Sequence, residues 1–363
     1  MSKMAADYNA INLSQGYPDF STPQPLLDLV TRAMGEGHNQ YPPMAGIEPL
    51  RIAVAEKAAD LYGADIDAFD EVTIVSGATE GLFNAVFTVI NPGDEAIIFD
   101  PAYDSYEPVI RLAGGRTRRI KMRCPEYTID WDEVRDTINS RTRLIMINSP
   151  HNPTGTTLSQ TDIDALIDLC AGSALYIISD EVYEHIIFDG MQHLSILRYP
   201  QLRDRAFVIS SFGKTYHATG WKIAYCIAPV ELTAEYRKIH QFNTFTTNTP
   251  MQYALARFMA YKEHYLELPA FYQTKRDHLR RAMAGSRFRA MECRGTYFQL
   301  FDYSAISNEN DFDLVKRLTT EHGVAAIPVS VFYGERIDNK VIRLCFAKDE
   351  RTLSKAAEIL CGI

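Results

Sequence analysis

Apolar residues come in short unbroken runs along most of this chain, and most runs lead into a stretch where they recur every three or four positions. "EVTIVS" (71–76) leads into "GATEGLFNAVFTVI" (77–90), "DEAIIFD" (94–100) into "SYEPVIRLAG" (105–114), and "TRLIMINS" (142–149) into "SQTDIDALIDLCAG" (159–172). "ALYIISD" (174–180) and "RAFVISS" (205–211) add two further runs. Runs without polar alternation read as strands buried on both faces, and the segments between them as covering helices. Residues 34–258 are therefore expected to form one large α/β domain with a mostly parallel sheet. The pattern changes after "YLELPAFYQTKRDHLRRAMA" (265–284). "RGTYFQLFDYS" (294–304) and "VIRLCFAK" (341–348) read as strands beside the helical "DFDLVKRLTTEHG" (311–323) and "TLSKAAEIL" (352–360). Residues 259–363, joined by 1–33, are expected to form a smaller α+β domain.

A chain of 363 residues can bury one large or two medium cores. Its net charge of −9 argues against a nucleic-acid or membrane-surface partner. No apolar run reaches the 18 residues of a membrane span, and "MSKMAADYNAINL" lacks the apolar core of a secretory signal. The six cysteines form no CxxC pair, and most sit in apolar runs, as free buried thiols do in a reducing compartment. A cytoplasmic protein is expected.

In open parallel sheets, ligands bind beyond the carboxyl ends of the strands. Here those ends read "SGATEG", "PAYDSY", "NSPHNPTG", "SDEVYEH" and "SSFGK". One polar strand end means little; five along one rim suggest a site. Lys214, just past "AFVISS", is costly beside a core unless it has a partner or a task. "GKT" is not the tail of a P-loop, because Val208 stands where that loop needs its first glycine. Asp180 ends the neighbouring run, and a desolvated carboxylate there seeks a cation. Ser76-Gly77-Ala78-Thr79 opens a helix, whose first N–H groups make an ordinary N-cap or an anion site. Ser211 and Lys222 can add donors. A phosphate cup, a strand-end Asp and a strand-end Lys together match what pyridoxal phosphate requires. The lysine condenses with its aldehyde, the Asp keeps its ring nitrogen protonated, and Tyr103 can stack on the ring.

Seven motifs in order carry a resemblance over the whole chain: "NLSQGYPDF", "SGATEGLF", "DPAYDSY", "SPHNPTG", "SDEVYEH", "SSFGKTYHATGWKIAY" and "VIRLCFAK". The sequence resembles the fold-type I, class I/II pyridoxal-phosphate aminotransferases, nearest to the group that holds the methionine and the kynurenine/glutamine aminotransferases. The resemblance implies that Lys214 binds the cofactor covalently and then moves the proton between the substrate Cα and the cofactor. It implies that Asp180 pairs with the ring nitrogen and that Tyr183 and Asn152 bond the phenolic oxygen. Tyr103 would stack on the ring, and Ala78, Thr79, Ser211 and Lys222 would hold the phosphate. Arg343 would clamp the substrate carboxylate, helped by Asn152 and the Gly16 backbone. Tyr17 is placed in the side-chain pocket. Tyr41 would cross the interface of a homodimer to the partner's phosphate. No metal site is expected.

Two features depart from the family pattern. Lys222 stands where arginine is common, so a point charge replaces a fork. The family also carries a longer arm before "INLSQG", one that covers the site or the partner subunit, whereas ten residues precede Ile11 here. The activity implied is ping-pong transfer of an amino group from an L-amino acid to a 2-oxo acid. The resemblance makes methionine the favoured donor, with aromatic amino acids, glutamine or leucine as others, and the lack of a second arginine in a motif position speaks against aspartate. A carbon–sulfur β-lyase on the same fold is the alternative. A regulatory pyridoxal-phosphate-binding module is a more distant one, because no basic helix-turn-helix segment precedes residue 12. A dehydrogenase is more distant still, because no GxGxxG follows a strand.

Overall fold

The computed structural model describes residues 1–363. In chain order the strands are β1 (Ile11–Asn12), β2 (Val72–Val75), β3 (Glu95–Asp100), β4 (Arg116–Lys121), β5 (Thr142–Asn148), β6 (Tyr176–Asp180), β7 (Ala206–Ser211), β8 (Ala224–Ile227), β9 (Arg289–Ala290), β10 (Phe298–Asp302), β11 (Val324–Ala325), β12 (Ile327–Pro328) and β13 (Val341–Cys345). Seven of them form one sheet in the order β2-β8-β7-β6-β5-β3-β4. Within it only β8 runs antiparallel to its neighbours. All seven lie inside residues 34–258; the strands of the two smaller sheets, β1-β11 and β12-β13-β10-β9, all lie outside.

The unbroken apolar strands follow from burial on both faces. Ile97 and Ile98, Ile145 and Met146, and Ile177 and Ile178 are all buried, but the members of each pair point to opposite sides of the sheet. Ile98, Met146 and Ile178 join a core with Leu82, Val86 and Tyr236 from the helices at 78–89 and 230–243. Ile97, Ile145 and Ile177 join a larger core that runs on without a break into Leu300, Leu344 and Phe346. Each such side chain contributes about 2 kcal/mol by leaving water. That continuous second core fixes the C-terminal sheet, and Arg343 on it, against the ends of the central strands.

Candidate active site

Register brings the rim together. Asn148, the last residue of β5, pairs with Asp180, the last of β6, which in turn pairs with Ile209 of β7. Asn148 donates through Nδ2 to the Asp180 carbonyl at 2.8 Å and accepts the Asn152 N–H at 2.8 Å. A single side chain thus ties two strand ends and the following loop. β7 ends at Ser211, and one helical turn, Phe212–Thr215, turns Lys214 towards the same place.

These residues surround a cavity of about 510 Å³. Lys214, Asp180, Tyr183, Ala78, Thr79, Tyr103, Asn152, Ser211, Lys222, Gly16 and Arg343 all line it. Two expected residues do not. Tyr17 is half-exposed, its ring under Lys348 Nζ at 4.7 Å, and it borders a separate surface hollow with Arg351 and Lys355. Lys348 Nζ also donates to the Tyr17 carbonyl at 2.8 Å, so one side chain holds both the backbone and the ring of Tyr17 at that surface. Tyr41 is 83% exposed, also outside the cavity, with its ring edge-on to Phe245 at 5.6 Å.

At one end of the cavity, the helix Ala78–Val89 starts after Gly77, whose φ of +82° suits glycine. No side chain caps this end, so the N–H groups of Ala78 and Thr79 face the cavity. Lys222 leans over the same turn. A Cβ on Gly77 would stand 2.9 Å from its Cε and 3.0 Å from its Nζ and would push the end of Lys222 away from the turn.

In the middle, Asp180 is buried. Burial pushes its carboxyl up to about 6, against the pull of the Tyr106 hydroxyl, the Val182 N–H and the Lys214 charge. Tyr103 stands edge-on to Tyr106 at 5.6 Å, and the Tyr183 ring lies below Lys214 Nζ at 5.6 Å. Burial brings the Lys214 amine down to about 8. Its Nζ donates to the Tyr297 hydroxyl at 2.8 Å.

At the other end, Arg343 on β13 is 7% exposed. It donates to Asn152 Oδ1 at 2.7 Å and to the Ser14 carbonyl at 3.3 Å, while its Nε has no partner. The guanidinium lies 3.9 Å from the Phe298 ring centre and 5.1 Å from that of Phe332. A buried cation with a free donor beside a cavity is a ready anion clamp.

Tyr106, Asn148, Tyr297 and Phe298 are site residues that the sequence reading left without a role. Tyr106 and Asn148 stood in or beside quoted motifs, but their partners lie on other strands. Tyr297 and Phe298 read only as strand. Glu181, by contrast, is structural as expected: it bonds Ser179, His193 and the Ile196 N–H behind the sheet.

A donor cup with a cation, a buried carboxylate and an amine of lowered pKa are the chemistry that pyridoxal phosphate needs, and the residues fit it. Comparison with known proteins agrees. Residues 8–360 match the family described as aminotransferase class I and II. The chain is 50% identical over 361 residues to the methionine aminotransferase of Escherichia coli (strain K12), covering 99% of this chain and 94% of that one. It is 31% identical over 393 residues to human kynurenine–oxoglutarate transaminase 1, covering 99% and 93%. A crystal structure of YbdL from Escherichia coli, reported to identify a methionine aminotransferase function, superposes with a TM-score of 0.98 at 50% identity, over 100% of this chain and 96% of that one. The N-succinyldiaminopimelate aminotransferase of Mycobacterium tuberculosis superposes with a TM-score of 0.96 at 35% identity, over 100% and 95%. The chain belongs to the class I and II aminotransferases. It has their fold-type I architecture, is a transaminase and uses pyridoxal phosphate.

Proposed function

We propose that this enzyme takes its amino group from L-methionine, with aromatic amino acids, glutamine or leucine as further donors, and passes it to a 2-oxo acid. The observation that carries this is the company Arg343 keeps. It is the only arginine lining the cavity; Phe298 and Phe332 flank its guanidinium, and Ile327 and Val331 line the same cavity. A substrate anchored there by its α-carboxylate meets an apolar wall, and Asp104 disfavours a second carboxylate. The methionine aminotransferase activity of the Escherichia coli relative supports the same choice.

Pyridoxal phosphate supplies an aldehyde for the amino group and a protonated ring that takes up the electron pair left at Cα. The protein does the rest. Ala78, Thr79, Ser211 and Lys222 hold the phosphate. Asp180 stays ionised against the ring nitrogen. Tyr183 and the free Nδ2 of Asn152 orient the phenolic oxygen, and Tyr103 stacks. Arg343 and the Gly16 backbone would hold the substrate carboxylate in the cavity that Lys214 also lines. Lys214 takes the Cα proton and returns it on the cofactor side.

We place Tyr41 across the interface of a homodimer. Its near-complete exposure, with the partly exposed Phe245 edge-on to its ring, leaves an aromatic surface that a second copy would cover. No helix of the chain is long and apolar enough to cross a membrane.

The test is the visible spectrum of the protein loaded with pyridoxal phosphate, before and after each amino acid. Methionine should bleach the band, and parallel double-reciprocal plots with a 2-oxo acid should follow. Higher kcat/KM for aspartate or glutamate than for methionine would overturn the donor assignment. Pyruvate and ammonia from a cysteine conjugate, without any oxo acid, would favour the lyase.

A further inference from the structure

The amine of Lys214 faces two oxygens that can only accept. Tyr297 gives its hydroxyl proton to the Gly16 carbonyl, so towards Lys214 it offers lone pairs alone. The Gly16 carbonyl itself lies 3.4 Å from the same Nζ. The turn that carries this carbonyl is closely packed: a Cβ on Gly16 would stand 2.7 Å from Phe298 Cζ and 3.7 Å from Tyr297 Cε2. Tyr297 is fully buried, packed edge-on against Tyr183 and Phe298. Burial raises its hydroxyl pKa well above the ordinary value, so it remains a neutral hydroxyl and not a base.

A free lysine amine has two N–H bonds and one lone pair. Two acceptors on one side take the N–H bonds and leave the lone pair pointing away from them, into the cavity. We infer that Tyr297, working with the Gly16 carbonyl, is a positioning residue that holds the released amine of Lys214 with its lone pair aimed at the substrate Cα. This rests on the proposal that Lys214 carries the proton. In that step the neutral amine takes the Cα proton and becomes an ammonium. It then releases the proton at the cofactor carbon and is an amine again. The C–H electron pair stays with substrate and cofactor, and no outside oxidant or reductant is needed. Without Tyr297, the amine swings on a four-carbon stem, and misplacement by about 1 Å can cost about 100-fold in rate.

The experiment is Tyr297→Phe, which keeps the ring and its packing. In the loaded enzyme, the rate of the amino-acid half-reaction should fall about 10- to 100-fold, with substrate KM changed less than about threefold. The α-deuterium isotope effect should rise, because proton transfer becomes slower than the other steps. In cofactor-free protein, the pH midpoint for reaction of Lys214 with an amine reagent should drop below its wild-type value, since an acceptor that favours the ammonium is gone. An unchanged isotope effect with an unchanged lysine midpoint overturns the inference. So does a variant that loses only melting temperature and cofactor affinity, because that marks a structural role. If wild-type protein shows no half-reaction with any amino acid, the functional reading fails, and the lysine midpoint still decides for or against Tyr297.

Discussion

Tyr106 donates its hydroxyl proton to Oδ2 of Asp180 at 2.7 Å, from a helix 74 residues earlier in the chain. The bond opposes the burial that pushes Asp180 towards its neutral form. Tyr106→Phe removes one hydrogen bond to the carboxylate, worth about 1.5 kcal/mol or roughly one pH unit. The variant should bind pyridoxal phosphate more weakly than wild type, and the gap should widen as pH falls from 8 to 6. Titrating both proteins with the cofactor at several pH values checks this. A gap that does not depend on pH would show that Tyr106 only packs.

Asp180 should also limit the stability of the cofactor-free protein. Its folded pKa is raised from 3.8 to about 6. Between these values the folded state holds a proton that the unfolded chain has lost. The stability of the protonated group is therefore fully present below about 4 and lost as pH rises through about 6. Above that pH the ionised carboxylate costs up to about 3 kcal/mol. Asp180→Asn should raise the melting temperature of the cofactor-free protein at pH 8 but not at pH 4, while transaminase activity drops at least 100-fold. Calorimetry at the two pH values decides it; a variant less stable at pH 8 contradicts the assignment.

Strand content and the placing of Lys214 and Asp180 were legible because each signal is local, whereas Asn152 and Arg343 took their roles from the motifs "SPHNPTG" and "VIRLCFAK" through the resemblance. Apolar runs mark buried strands, and the polar residue that ends a run marks the rim. The alternation of Ile97 and Ile98 between two cores was not legible, since both positions are apolar and only the sheet separates them. Tyr297 was hidden for a different reason. Its partners, Gly16 and Lys214, lie 281 and 83 residues away, and no spacing rule joins them. Tyr17 lies outside this cavity because it packs against Lys348, 331 residues away, and no spacing rule joins the two.

Arg343 is held by Asn152 Oδ1 and the Ser14 carbonyl and keeps Nε without a partner. Arg343→Lys retains the charge and loses the fork. KM for amino acid and oxo acid should rise about 100-fold, equivalent to about 3 kcal/mol. Affinity for pyridoxal phosphate should change less than about threefold, because the guanidinium's contacts are Asn152, the Ser14 carbonyl and two phenylalanine rings and none is at the helix start that cups the phosphate. Steady-state kinetics with a parallel cofactor titration separates the two effects. Equal loss of both would mean that the arginine holds the fold of the rim and not the substrate.

The same logic, reversed, applies at the phosphate end. Lys222 holds a left-handed backbone conformation, φ 54°, that brings its ammonium over Gly77. Gly77→Ala places a Cβ within 3.0 Å of Nζ and forces a φ of +82° on alanine, so the ammonium must retreat from the helix start. Lys222→Ala removes it outright. Both variants should weaken cofactor binding about 10- to 100-fold, with little change in substrate KM at saturating cofactor. The loss with Lys222→Ala should shrink in high salt, because wild-type binding includes a screened charge pair that the variant lacks. Wild-type affinity in both variants would remove Lys222 from the phosphate site and leave the helix N–H groups and Ser211 as its only donors.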